Sequence, residues 1–472
     1  MRMRAAAALV GAALTGCAWL RTPPAWELPP PPVREGPVVD PARLHRSRLG
    51  NGLEILILED TRLPRVELSL TLRRGAGSVP LDQAGLAGFG AELLERGAGQ
   101  RDALALAEAV DALGASLAAG ADWDSTSVSL RGLSRDLDTL LGLLADVVLR
   151  PRFEAAEAKR VRSELLAALE AARDDPATLA RWNLASLLYP GHVYGAPLEG
   201  TPESVARLDA AAARAFHARV FIASDAIFSA SGDVDPARLE RRVQDLFGAW
   251  RAGDAPPEDP APPGPAPPGR RVRVVDVPDR GQAWIVLGHD GLARTDPERT
   301  AAILMNGALG GGAFLSRLMT RVRAEEGLTY SVSSNFALRR RPGPFVVSTF
   351  TRVPEARRVV DLLLAELGRM QSEPPGPEEF RRVQTLEAGR FALALETSAA
   401  VAGSLVELSV AGLPEDSLDT FRSRVRALRP EDVAEAARRR LHPERAAIVV
   451  VGPAQSLAPQ LEGLGPVEVV SP

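Results

Sequence analysis

Alternating and helical spacings of apolar residues divide the chain into two runs of elements on the same plan. In the first run, Leu53–Asp60 (LEILILED) and Val66–Leu72 read as strands separated by a turn around Pro64. A helix is predicted from Gly85, and another over Leu104, Ala107, Val110 and Leu113. Ser125–Leu130 alternates as a short strand. Ser134 is placed to cap a helix whose Leu137, Leu140, Leu141, Leu144 and Val148 share one face, and Pro151 ends it. Ala155–Ala172 is rich in the strong helix formers Ala and Glu. Asp175-Pro176 supplies the cap and first-turn proline of the next helix. Ala226–Ser231 is an apolar strand entering Gly232, and Pro236–Trp250 is the closing helix.

Residues 251–270 hold Pro-Pro three times without periodicity and predict a semi-rigid linker. The plan then begins again. Arg271–Val277 and Gln282–Gly288 are strands, and Asp296-Pro297 caps a helix through Leu309. Phe345–Thr351 is a strand, and Glu355–Met370 a helix over Val359, Leu362, Leu363 and Leu367. Each run finishes on an apolar strand into glycine, at Gly232 and Gly452, about 220 residues apart, a period that means two domains and not a solenoid. The expected fold is α+β, two homologous halves over 44–250 and 271–456, each a mostly antiparallel sheet backed by helices, with 457–472 as a tail.

Between the second half's first helix and its Phe345 strand lies Gly310–Phe336, GGGAFLSRLMTRVRAEEGLTYSVSSNF. Leu315, Leu318, Met319 and Val322 predict one face of an amphipathic helix, Gly327 its stop, and Tyr330, Val332, Ser334 and Phe336 one side of a strand. Arg323 and Tyr330 are thereby brought to one end of a sheet.

The chain has 472 residues, 46% hydrophobic and 25% charged, with a formal net charge of −4. That balance argues against a nucleic-acid partner, and the one basic run, Arg339–Arg341, reads as a solvated hairpin tip before Pro342-Gly343-Pro344. Arg2 and Arg4, the apolar run Ala5–Leu14 and Leu14-Thr15-Gly16-Cys17 read as an export signal over 1–16. The tetrapeptide is similar to a bacterial lipobox, which implies lipidation of Cys17, the sole cysteine. Residues 17–43, Pro-rich over 22–32, then form a tether, placing the protein on the periplasmic face of the envelope. Ala18 after Cys17 resembles the outer-membrane sorting pattern.

Ser316-Arg317-Leu318, followed by Arg323-x-x-x-Gly327-Leu328-x-Tyr330, closely resembles the C-terminal half of pitrilysin/insulinase-family zinc peptidases of the short-subunit group. The resemblance implies that Arg323 and Tyr330 contact a substrate peptide, approached by Gly310, Gly311 and Gly312; Ala324 departs from the family's usual Glu. It also implies a clam-like peptide cavity. Active members carry H-x-x-E-H on the first helix of the first half, two zinc ligands flanking a water-polarising Glu. Here Gly88 and Glu92 stand at the histidine positions and Ala91 at the base, and the later ligand column falls near Ala167 or Ala168, with Glu164 and Glu170 close by. No two of His45, His192, His217, His289 and His442 have helical ligand spacing; His192 reads as a turn element. There is no G-x-S-x-G and no P-loop.

These residues point to a noncatalytic, substrate-binding subunit with no cofactor of its own. The resemblance implies that the zinc is to be expected in an H-x-x-E-H-bearing partner in a heterodimer, with extended peptide adding to a sheet edge. The alternatives are a peptide-binding or scaffolding lipoprotein without a peptidase partner, and an enzyme holding zinc through unrecognised ligands.

Overall fold

Strand alternation decides how the two halves are joined. The computed structural model describes residues 36–253, 263–264 and 268–472. The predicted signal, Cys17, most of the tether and most of the Pro-rich linker lie outside the described residues. Val39–Pro472 clusters as one unit.

The first half contains β1 (Leu44–Arg48), β2 (Glu54–Glu59), β3 (Arg65–Leu72), α1 (Leu86–Leu94), α2 (Ala103–Asp111), β4 (Ser116–Ala121) and β5 (Thr126–Leu133). It continues with α3 (Leu137–Leu149), α4 (Ala155–Ala172), α5 (Pro176–Leu188), α6 (Ala210–Val220), β6 (Ala226–Gly232) and α7 (Pro236–Phe247). The second half has β7 (Arg271–Asp276), β8 (Gln282–Asp290), α8 (Arg299–Asn306), β9 (Val332–Phe336), β10 (Pro344–Arg352), α9 (Ala356–Ser372) and α10 (Pro377–Ala394). It ends with α11 (Ser398–Ala411), α12 (Ser417–Ala427), α13 (Pro430–Arg440), β11 (Ala447–Gly452), α14 (Ala454–Leu461) and β12 (Val467–Val470).

The sheets run β1-β2-β6-β3-β5-β4 and β12-β7-β11-β8-β10-β9, so five strands correspond one for one. The outer strands β1 and β12 come from opposite ends of their halves and pair in opposite senses, β1 antiparallel to β2 and β12 parallel to β7. Most pairs are antiparallel; β2–β6, β11–β7 and β7–β12 are parallel. The expected tail is therefore corrected: Val467–Val470 completes the second sheet beside β7, because its main chain finds a free strand edge there.

The central strands use their two faces for different halves. Ile55 and Ile57 face the first half's own helices, while Leu56 and Leu58 pack on Val401, Ala402 and Leu405 of α11. In the second sheet Val274, Ile285, Ile448 and Val450 face their own helices, while Val275, Val286, Val449 and Val451 join the cluster holding Leu184, Leu187 and Leu188 of α5. The halves thus exchange equivalent helices. Polar groups tie each exchange: Arg271 donates to the Leu187 carbonyl at 2.6 Å, satisfying the end of α5, and Ser409 of α11 meets Glu54 and Arg73.

Asp175 caps α5 as expected, accepting from Ala177 and Thr178, and those bonds with the Thr178 hydroxyl hold its carboxyl below the usual range. Ser134 does not cap its helix; its hydroxyl donates to Asp233 at 2.7 Å and the helix starts after a short 3-10 turn. The Arg339–Arg341 run is no solvated tip. Arg339 lies against the edge-to-face pair of Trp123 and Tyr194, and Arg340 donates to the carbonyls of Arg73 and Val410. The hairpin is clasped because aromatic faces and the Arg73 carbonyl of the first half, with the Val410 carbonyl of α11, accept its cations.

Histidines are structural where they are buried. His289 accepts from the His442 N–H at Nε2, so Nδ1 carries the proton toward the Asp290 carbonyl, and burial pushes its pKa down to about 4. His192 accepts from the Tyr194 N–H within a tight turn. Among the described residues no single helix is long and apolar enough to cross a membrane.

If helix exchange holds the halves together, Leu184→Ala should lower stability by about 2–5 kcal/mol. Urea unfolding should still show one transition reported equally by probes in each half. Separate transitions for the halves would contradict a shared core.

Candidate functional site

The glycine stretch builds a compact platform under the edge strand β9. Gly307–Gly311 continues α8 as a π-helix, Ala313–Leu315 forms a 3-10 turn, and Met319–Glu325 is a second π-helix. This replaces the single amphipathic helix expected from the spacing. Leu318, Met319 and Val322 are buried as predicted, but Leu315 is 61% exposed, because it ends the separate 3-10 turn and a bend at Ser316 breaks its spacing with the helix that follows. A Cβ on Gly310 would lie 2.4 Å from Ser334 Oγ, and one on Gly312 would lie 2.2 Å from the Gly307 carbonyl. Gly310 is buried, and these glycines bring the chain close to β9. Asn306 then latches onto the strand, donating to the Ser334 carbonyl at 3.0 Å and accepting from its hydroxyl at 2.6 Å.

Gly327 has φ of +63° and ends the second π-helix, as its position predicts. The following loop is pinned from β10. Thr351 donates to the Leu328 carbonyl at 2.7 Å, and Thr349 to the Ser331 carbonyl at 2.8 Å. Within this fixed loop Tyr330 points outward, 80% exposed, and it precedes the strand instead of opening it. Its environment contrasts with that of the other two tyrosines, which are buried; burial pushes Tyr194 up to about 12 and raises Tyr189 as well.

Neighbouring cations of the π-helix are neutralised. Arg321 pairs with Glu325 at 2.7 Å and with Glu326 at 3.4 Å, and Arg317 pairs with Glu379 through two hydrogen bonds of 2.8 and 3.0 Å. Arg323 has no carboxylate partner among the described residues; its guanidinium stacks 4.6 Å from the centre of the exposed Phe314 ring. The structure therefore presents an unneutralised guanidinium and a phenol on a platform fixed by glycines, Asn306 and two threonines. Phe314 and the threonines were missed in the sequence. Thr349 and Thr351 could have been found only from their buried alternation on a strand otherwise apolar on that face.

The corresponding region of the first half is apolar and partly neutralised. Gly85, with φ of +90°, enters α1 against the Glu199 carbonyl. Ala91 is 1% exposed, whereas a Cβ on Gly88 would meet nothing within 4 Å. Glu92 pairs with Arg96 at 3.0 Å, and Arg96 reaches Glu164 of α4 at 3.5 Å. A guanidinium thus bridges the carboxylates of the two helices, while Ala167 and Ala168 lie exposed on α4. Among the described residues no three His, Cys, Asp or Glu side chains converge as a metal site. The donor set does not fit a catalytic zinc: one carboxylate is taken by Arg96 and the base position is a buried methyl group. On the adjoining edge strand β4, the Ala119 N–H is occupied by Glu95 at 2.6 Å; burial raises that carboxyl's pKa despite the bond.

The family model for insulinase (peptidase family M16) matches residues 55–202, and the model for the peptidase M16 inactive domain matches 207–386. The chain belongs to the insulinase family. An uncharacterized zinc protease of Streptomyces coelicolor is 28% identical over 365 residues, covering 76% of this chain and 79% of the relative. A Bacillus subtilis relative, also called an uncharacterized zinc protease, is 21% identical, covering 74% and 83%. Among solved structures, an M16 inactive domain from Pseudomonas fluorescens superposes with a TM-score of 0.80 at 28% identity, covering 87% of this chain and 98% of its own. A protease from Helicobacter pylori shares the fold with a TM-score of 0.80 at 18% identity, covering 87% and 99%.

Elemental analysis of the purified M16 chain should find far less than one zinc per molecule, and a chelator should leave its melting temperature unchanged. A content of about one zinc per chain, lost with a fall in stability on chelation, would overturn this reading of the donor set.

Proposed function

We propose that the chain is a noncatalytic, substrate-binding subunit of an insulinase-family metallopeptidase, acting with an H-x-x-E-H-bearing partner as a heterodimer. The observation that carries this reading is the pairing of a first half unsuited to zinc with a half-buried Arg323 that has no carboxylate partner among the described residues and an exposed Tyr330 on a pinned loop. Arg323 can donate to a peptide carbonyl without first breaking an ion pair, so little binding energy is lost in freeing it. The Tyr330 hydroxyl can donate to the carbonyl oxygen on which negative charge develops during attack. Its loop is held by Thr349 and Thr351, which limits the reorganisation needed at that moment. Zinc and the water-polarising base would come from the partner. Extended peptide would pair with an open strand edge, a mode that tolerates varied sequences.

In the reconstituted pair, Arg323→Ala and Tyr330→Phe should each lower kcat/KM by about a hundred- to thousandfold, the range for loss of one transition-state donor. Melting temperature and co-purification should stay unchanged, since neither side chain is fully buried. Wild-type turnover in both variants would remove the assigned role.

The same proposal places the protein on the envelope, lipidated at Cys17 and facing the periplasm. Its support is the Leu14-Thr15-Gly16-Cys17 pattern following a basic, then apolar segment. Cys17→Ser should move the protein from the membrane to the soluble envelope fraction, because acyl chains contribute roughly 0.8 kcal/mol per buried CH₂. Intact mass of the wild type without added lipid would rule the anchor out.

A further inference from the structure

The halves enclose a second feature. A cavity of about 560 Å³ opens between α4, α5 and the strands β9 and β10. Its walls are chiefly apolar, with Leu165, Leu169, Trp182 and Leu198 from the first half and Val346 from the second. One wall holds Arg339. Its guanidinium carbon lies 4.1 Å from the centre of the Trp123 ring and 4.4 Å from that of Tyr194. Its Nη1 is buried and has no hydrogen-bond partner, and among the described residues no carboxylate lies within ion-pair distance of the group. The nearby Asp124 is already engaged by the Arg340 N–H at 2.8 Å. Burial lowers the Arg339 pKa, a sign that the charge is poorly solvated where it stands. Two aromatic faces offset only part of that cost.

A third feature defines the ligand. Asn335 and Ala337 line the same cavity, and Asn335 belongs to β9, the outer strand of the second sheet. An open strand edge offers main-chain pairing, the apolar chamber accepts side chains, and the planar guanidinium matches a carboxylate. We propose that this cavity binds the apolar C-terminal residues of a peptide, with the terminal α-carboxylate on Arg339 and the preceding main chain along β9. The proposal rests on the peptide-binding reading above and adds a C-terminal anchor to it. A lone polar cavity wall would not select this ligand. Arg181, the other arginine in the lining, is exposed and donates to Thr178, and Glu199 stands exposed in the lining as well.

The test is a fluorescence anisotropy titration of the full chain, without any partner. The probe is an N-terminally labelled peptide of three alanines, leucine and phenylalanine, as the free acid and as the C-terminal amide. The acid should bind at least about tenfold more tightly than the amide, as expected for a desolvated charge-assisted pair. Arg339→Gln should abolish that difference and Arg339→Lys should retain part of it. Should Arg339→Gln fail to fold, Ala168→Phe fills the chamber from an exposed helix position and should weaken both peptides while circular dichroism stays native. Equal affinity for acid and amide, or an acid preference that survives Arg339→Gln, would overturn the site. So would tight binding of decanoate with neither peptide bound, which would indicate a fatty-acid pocket. Because no partner is present, loss of turnover in the Arg323 and Tyr330 variants leaves this result unaffected. A failed titration likewise leaves the subunit role standing on its own test.

Discussion

The packing of α5 on the second sheet and of α11 on the first is the constraint from which the rest of the molecule follows. A six-stranded sheet with helices on one side leaves the other face open, and a half built alone would expose Leu56 and Leu58, or Val449 and Val451, to water. Each such side chain contributes roughly 1.5–3 kcal/mol when buried, so a few of them outweigh the ordering cost of one extra helix. Exchange of helices between duplicated halves satisfies both faces at once. Gly288 shows how closely the fit is made: a Cβ there would lie 2.6 Å from the Phe345 carbonyl and 3.0 Å from Leu184.

Fixing the halves in this way also fixes what lies at their seams. The hairpin carrying Arg339 and Arg340 reaches across to Trp123, Tyr194 and Arg73, so the relative position of the sheets is held by aromatic and carbonyl groups as well as by apolar contact. The large cavity is the space the helix exchange leaves beside α5. A second, more polar cavity of about 350 Å³ lies beside α11, where Ser69, Ser129, Ser229 and Ser231 face it. Duplicated architecture has thus kept its geometry while the two cavities have diverged in polarity.

Divergence is plainest where α1 and α2 of the first half match α8 and the π-helical segment that follows it in the second. In the first, an arginine bridges carboxylates over a buried methyl group and the edge strand is partly occupied. In the second, glycines replace bulk, the helix widens into π turns, and a cation and a phenol stand uncommitted. An unpaired guanidinium over Phe314 costs little because it remains solvated, and it is ready for a carbonyl or carboxylate.

Much of this was legible in the chain. Apolar periodicity determined the duplicated plan, and the spacing around Gly327 put Arg323 in the last helical turn, although Tyr330 lies in the loop before the strand it was expected to open. Missing histidines at Gly88 and Glu92 were visible directly, since a ligand's identity needs no tertiary information. Periodicity alone assumes 3.6 residues per turn, so it could not register the π-helices or the separate 3-10 turn that leaves Leu315 exposed. It also reads a basic run such as Arg339–Arg341 as solvated, because only tertiary contact can bring Trp123 and Tyr194 over a cation more than a hundred residues away. The pairing of Val467–Val470 with β7, the exchange of α5 for α11 and the burial of Arg339 beside a cavity depend on which surfaces meet. Alternation along a strand shows that both faces are apolar; it does not show whose helix covers them.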